Sequence, residues 1–167
     1  MMQRMKKASK KSPAQKPAKA SDPVVKSLSQ LLADSYALLG QIHVAHWNVE
    51  GPAFFQLHLA FEAQYKELFT AIDNIAERIR VLGAFSPGGL KTLASISSVK
   101  ELPIKETPSK EYVEHLIMCH QIAADSAAKT RDISEKKGDP ETEDLAIGRI
   151  RVHGKAIWML RSHLTGN

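Results

Sequence analysis

A chain of 167 residues, 43% hydrophobic and 25% charged, is long enough to bury one core and needs no second domain. Its single cysteine, Cys119, excludes an intrachain disulfide framework. No apolar run reaches the length of a membrane span, and the basic N-terminus lacks the apolar stretch of a secretory signal, so the expected setting is soluble and cytoplasmic. The net charge of +5 is uneven: residues 1–22 carry seven cations (Arg4, Lys6, Lys7, Lys10, Lys11, Lys16, Lys19) against one acid, Asp22, whereas residues 23–167 hold 16 basic and 17 acidic side chains.

Residues 1–22 are Lys, Ala, Ser and Pro with little apolar bulk, the composition of a disordered arm that cannot offset its ordering entropy. Ser21 or Asp22 can N-cap a first helix with Pro23 at its start. From there Val25, Leu28, Leu32, Ser35, Leu39, Ile42 and His46 form one helical stripe at alternating steps of three and four. Gly51-Pro52 breaks the chain. A second helix is expected from about Phe54 to Leu82, with Phe61, Tyr65, Leu68, Ile72, Ile75, Ile79 and Leu82 as its stripe, stopped by Gly83 and Pro87-Gly88-Gly89. Residues 90–108 form a long connection with a short helix expected around Leu93 to Glu101. Two more helices follow, about Lys110 to Lys136 and Glu141 to Leu164, parted by Gly138-Asp139-Pro140. With no segment reading as a strand, residues 23–167 are expected to form an all-α, ferritin-like four-helix bundle with a long crossover after its second helix.

The second helix carries the chemistry. His58 and Glu62 are four apart, as are Asp73 and Glu77, and all four fall within an arc of roughly 100° beside the apolar stripe. The two pairs are separated by ~22 Å along the axis, so one helix cannot close a single metal site with them. Two copies packed antiparallel on this flank would set His58 and Glu62 of one against Asp73 and Glu77 of the other, making two equal sites. Mixed imidazole and carboxylate ligands suit iron, manganese or zinc rather than calcium or a soft metal. The Glu-x-x-His motif of di-iron sites built within one bundle is absent. Taken singly, each residue has a plainer reading: His46 as a hydrogen-bonded core residue, the carboxylates as a solvated face or partners of Arg78 and Arg80, Trp47 as packing.

Taken together they resemble a family. The run His46-Trp47-Asn48-Val49-Glu50-Gly51-Pro52-Ala53-Phe54-Phe55-Gln56-Leu57-His58-Leu59-Ala60-Phe61-Glu62 is similar to the signature of the Dps proteins, the miniature ferritins of starved and stressed bacteria. Asp73-Asn74-Ile75-Ala76-Glu77-Arg78 resembles their second motif, and the likeness spans about Val24 to Leu164. This resemblance implies a hollow homo-dodecamer and ferroxidase di-iron sites at its two-fold interfaces. It also implies oxidation of ferrous iron preferentially by hydrogen peroxide, iron storage and a nucleoid setting. His46, His58 and Glu62 of one subunit would bind iron with Asp73 and Glu77 of its neighbour, and Glu62 stands where many relatives carry Asp. Trp47 would lie beside the site and intercept radical equivalents; His43 would be a supporting group or simply core. Asp139 and Asp144 would line the three-fold opening for ion uptake, with helix N-terminal acids stabilised by the dipole as the equal alternative. The seven arm cations suit non-specific binding of DNA phosphates, multiplied across an assembly. No base-reading motif accompanies them. Two functions are therefore expected: a ferroxidase and iron store, and, as the alternative emphasis, an architectural DNA-compacting protein.

Overall fold

The computed structural model describes residues 19–103 and 107–165. They form five helices, α1 (Pro23–Asn48), α2 (Phe54–Val81), α3 (Leu90–Ile96), α4 (Ser109–Lys137) and α5 (Pro140–Leu164), with no strand among the described residues. Asp22 is the cap of α1: its carboxylate accepts the Val24 N–H at 2.8 Å, and Pro23 fills the first position, where no amide proton is needed. Every residue of the expected α1 stripe is buried, including Ser35 and His46. On α2, Phe61, Leu68, Ile72, Ile75 and Ile79 are buried, while Tyr65 and Leu82 are half-buried at the edge of the core.

Helix α1 packs against α2, α3 and α4, and α4 against α5. Helices α2 and α5 touch sparingly and leave a groove of about 830 Å³ between them. Leu28, Leu31, Leu38 and Ile42 of α1 meet Phe61, Leu68, Ile75 and Ile79 of α2 and Leu116 of α4 in a core closed to solvent.

Two turns fix the path of the chain. Gly138 takes φ 66° after α4, the Asp139 N–H reaches back to the Ser134 carbonyl at 3.0 Å, and Asp139 then caps α5. In the crossover, α3 begins at Leu90 and ends at Ile96, earlier than the expected Leu93 to Glu101. The reason lies across the fold. Asp34 of α1 is fully buried, and its carboxylate accepts the Ser97 hydroxyl at 3.0 Å and the Ser98 N–H at 2.7 Å on one oxygen. The other oxygen takes the Ser126 hydroxyl at 2.6 Å and the Gln30 amide at 3.0 Å. The Ser97 N–H still closes the last turn on the Leu93 carbonyl, but the Ser98 N–H goes to Asp34 instead of the ladder, so the helix stops there and the crossover is tied to α1 and α4.

Candidate metal centre

The short link of residues 49–53, with Gly51 at φ 96°, folds the last turn of α1 back over the first turns of α2. This stacks the His46 ring on the His58 ring, with centroids 3.8 Å apart and planes 21° from parallel. The two residues hold each other by a reciprocal pair of bonds: His46 Nδ1–H donates to the His58 carbonyl at 3.0 Å, and His58 Nδ1–H to the His46 carbonyl at 2.9 Å. A carbonyl only accepts, so each Nδ1 carries its proton, and Nε2 is the ring nitrogen left to bind a metal. Backbone bonds of this kind set the tautomer and ring orientation of metal-binding histidines.

Glu62 stands one turn beyond His58. Its carboxyl is held below the usual carboxylate range by the hydrogen bond and charge of Lys66, which outweigh an opposing effect of burial, with smaller help from the nearby His46 and His58. Two imidazoles and one carboxylate thus share a corner of the bundle. Asp73 and Glu77 lie farther along the same flank and are exposed. The chain does not bring them to His58, and among the described residues no group of three or more His, Cys, Asp or Glu is arranged within the single chain to hold a metal. The same flank carries exposed apolar side chains among its charged ones: Phe55, Leu59 and Phe69 are 74%, 61% and 69% exposed. His58 and Glu77 are equidistant from the point midway between Glu67 and Leu68, and so are Glu62 and Asp73. A two-fold axis at that level would set both pairs in register at once.

Trp47 is 68% exposed and stacks on His43 with centroids 5.2 Å apart. His43 meets Tyr65 at 4.6 Å, and Tyr65 sets its edge against His46 at 5.2 Å. Burial, then the neighbouring His46, lowers the pKa of His43 and favours its neutral form.

Asp139 is engaged inside the fold. Its Oδ1 accepts the Arg78 guanidinium at 2.6 Å and the Thr142 N–H at 3.1 Å, and its Oδ2 the Thr142 hydroxyl at 2.7 Å. It acts here as a helix N-cap and an ion-pair partner. Asp144 is exposed and lines the α2–α5 groove with Glu67 and Glu77. Lys19 is exposed, and Arg4, Lys6, Lys7, Lys10, Lys11 and Lys16 lie outside the described residues.

Two buried polar networks escaped the sequence reading. Around Asp34, the signal was an acid set among Leu31, Leu32, Ala33 and Leu38, where an unpaired charge is too costly to leave. The second joins α2, α4 and α5. His120 Nε2–H donates to Gln64 Oε1 at 3.2 Å, which leaves His120 Nδ1 to accept from His153 Nδ1–H at 3.0 Å. His153 Nε2 then accepts from Arg149 at 3.3 Å, and Arg149 forks onto Glu67. Burial, then Arg149, pushes the His120 pKa down to about 4, and the same causes hold that of His153 well below its ordinary value. No local motif marks this pair, whose members lie on different helices.

The ferritin-like domain family model matches residues 25–166. A DNA protection during starvation protein of Bacillus anthracis is 36% identical over 141 residues, covering 84% of this chain and 96% of that one. The chain belongs to the Dps family. The crystal structure of Dps from Staphylococcus aureus superposes with a TM-score of 0.82 at 33% identity, covering 86% of this chain and 96% of that chain. Dps from Vibrio cholerae O1, described as a member of a broad superfamily of ferritin-like diiron-carboxylate proteins, gives 0.81 at 27% identity, over 85% of this chain and 89% of that one. The all-α, ferritin-like bundle expected from the helix pattern is thus the fold of this Dps chain. Among its described residues no helix is long and apolar enough to cross a membrane.

Proposed function

We propose that this Dps protein is a ferroxidase and iron store that oxidises ferrous iron with hydrogen peroxide at sites shared between two subunits. The observation that carries the reading is the reciprocal His46–His58 pair, which ties both Nδ1 atoms to backbone carbonyls and leaves both Nε2 atoms as the ring nitrogens free to bind a metal, beside a Glu62 carboxyl held below the usual range. Asp73 and Glu77 of a partner subunit would complete the ligand set. Histidine nitrogens and carboxylate oxygens stabilise the higher charge of ferric iron. Two ferrous ions side by side supply both electrons that peroxide needs to form two waters with two protons, so no hydroxyl radical is released. The exposed Phe55, Leu59 and Phe69 on this flank of α2 support a two-fold contact within a dodecamer. Oxidised iron would mineralise on acidic side chains inside the shell, and the exposed Asp144 is proposed for ion uptake, Asp139 being taken up by Arg78 and Thr142.

Protection of DNA from oxidative damage follows from removing ferrous iron and peroxide together. Arg4, Lys6, Lys7, Lys10, Lys11, Lys16 and Lys19 are proposed to bind DNA phosphates without sequence preference, in a cytoplasmic, nucleoid-associated protein. The density of cations in this arm also supports the second reading, DNA compaction with iron oxidation secondary.

Anaerobic titration of ferrous iron with peroxide tests the site. Iron binding and oxidation rate are expected to collapse in His58→Ala combined with Asp73→Ala, and unchanged values would overturn it. Replacing the seven arm cations by Gln is expected to flatten the salt dependence of DNA retardation; an unchanged slope would remove the arm from the contact.

A further inference from the structure

Lys66 stands among the proposed ligands without being one of them. Its ammonium donates to the Glu62 carboxylate one turn earlier on α2. Each charge steadies the other: the Glu62 carboxyl is held below its usual range and the Lys66 ammonium above its own, in both cases chiefly by that hydrogen bond. An exposed pair at this spacing contributes little to folding. Its consequence lies in what it competes with, because the carboxylate that takes the ammonium is one that would take a metal.

No other cationic side chain of this stretch can replace it. From Ser27 to Glu77, over most of α1 and α2, Lys66 is the only Lys or Arg. Beyond Glu77, Arg78 is taken by Asp139 and Thr142, and Arg80 by the Ala84 carbonyl and the Phe85 ring. Of the acids on α2, Glu67 turns to α5, where Arg149 forks it, while Asp73 and Glu77 make no ion pair among the described residues. Around the helix Lys66 lies within about 40° of Glu62, Asp73 and Glu77. The single cation of this stretch is therefore on its acidic flank.

A two-fold axis between Glu67 and Leu68 would concentrate the acids. Each site would gather Glu62 of one chain with Asp73 and Glu77 of the other, and the Lys66 ammonium would lie one turn, ~6 Å, from that level. Without metal these three carboxylates repel one another across the seam. Lys66 is the charge placed to offset them, and a divalent ion entering the site must first part it from Glu62.

We propose that Lys66 is the counter-ion of the metal-free seam: its ammonium holds Glu62 until a divalent metal displaces it, which weakens metal binding and lets two subunits close without metal. The proposal rests on the shared-site reading above and adds to it a residue that sets how tightly the site loads.

The test uses full-length protein freed of metal by chelation, with zinc as a redox-inert probe, in wild type, Lys66→Gln, Lys66→Arg and the combined His58→Ala, Asp73→Ala variant. Removing one unit charge about 6 Å from a divalent ion is expected to tighten zinc binding by about three- to tenfold in Lys66→Gln, with the larger figure at low salt. In particle-mass measurements without zinc at low salt, Lys66→Gln is expected to dissociate at a higher protein concentration than wild type, and added zinc to remove the difference. Lys66→Arg keeps the charge and is expected to follow wild type in both measurements. Zinc affinity that is unchanged or weaker in Lys66→Gln, while the His58→Ala, Asp73→Ala variant binds none, overturns the proposal and leaves the shared site standing. Metal-free dissociation identical to wild type overturns it equally. Lys110→Gln parts a pair of the same spacing, with Glu114 on α4; an equal gain in zinc affinity there would assign the effect to net charge and refute a role particular to Lys66. Zinc binding by the His58→Ala, Asp73→Ala variant equal to wild type would instead bring down the shared site, and this proposal with it.

Discussion

The proposed shared site makes a quantitative prediction that a site built within one subunit cannot match. His58→Ala removes the α2 imidazole from one half of each proposed site, and Asp73→Ala removes a carboxylate from the other half. Either variant alone leaves every site defective. In a mixed dimer the arrangement differs. The Asp73→Ala chain contributes intact His46, His58 and Glu62, and the His58→Ala chain contributes intact Asp73 and Glu77, so one of its two sites is wild type and the other lacks both ligands. With equal amounts and random pairing, half the dimers are mixed and about one quarter of all sites are restored. Co-refolded or co-expressed chains, assayed by anaerobic ferrous iron with peroxide, are therefore expected to recover about one quarter of the wild-type rate, against near-zero rates for each variant alone. The structure underlies the sign of the effect, since His58 and Asp73 sit ~22 Å apart on one straight helix and cannot meet in one chain. A mixture no more active than its components would refute the two-chain geometry. Full recovery would also refute it, because two-fold pairing caps the yield.

Three further outcomes follow from the buried polar groups. Asp34→Ala deletes a carboxylate that accepts four hydrogen bonds and strands the Ser98 N–H and the Ser126 hydroxyl, at a cost of roughly 3–5 kcal/mol in denaturant unfolding. Asp34→Asn is also expected to destabilise, because each oxygen serves two donors and an amide nitrogen can accept from neither pair. The His120–His153 pair makes stability depend on pH. Both pKa values are depressed in the fold, so between about 6.5 and 4 the unfolded chain binds more protons; stability is full above about 6.5 and falls as pH drops toward 4. Unfolding at pH 7 and pH 5 should show this loss, and His120→Gln with His153→Gln should shrink it; an equal loss in that variant would assign the effect elsewhere. Cys119 is buried, and burial pushes its thiol up to about 12, so a thiol reagent at pH 8 is expected to react only on unfolding. Prompt labelling of the native protein would contradict this.

The α1 and α2 stripes were legible because a helix repeats every 3.6 residues and a core rewards the same face each turn; their positions bury almost without exception. The boundaries at Pro23, Gly138 and Pro140 were legible for local reasons, since Pro lacks an amide proton and Gly accepts the left-handed φ. The crossover helix was misplaced because its end is set by Asp34, some sixty residues away in sequence, and no local pattern carries such a bond. The His and carboxylate positions of the candidate site and their spacing on α2 could be read directly, together with the conclusion that one helix cannot gather them. What only the tertiary structure decided was orientation: the turn through Gly51 that stacks His46 on His58, the carbonyls that assign their protons, and the Arg78 and Thr142 bonds that bind Asp139 into the fold. Period and composition are properties of neighbours in sequence, whereas a tautomer or an ion pair depends on which atom another helix brings within 3 Å.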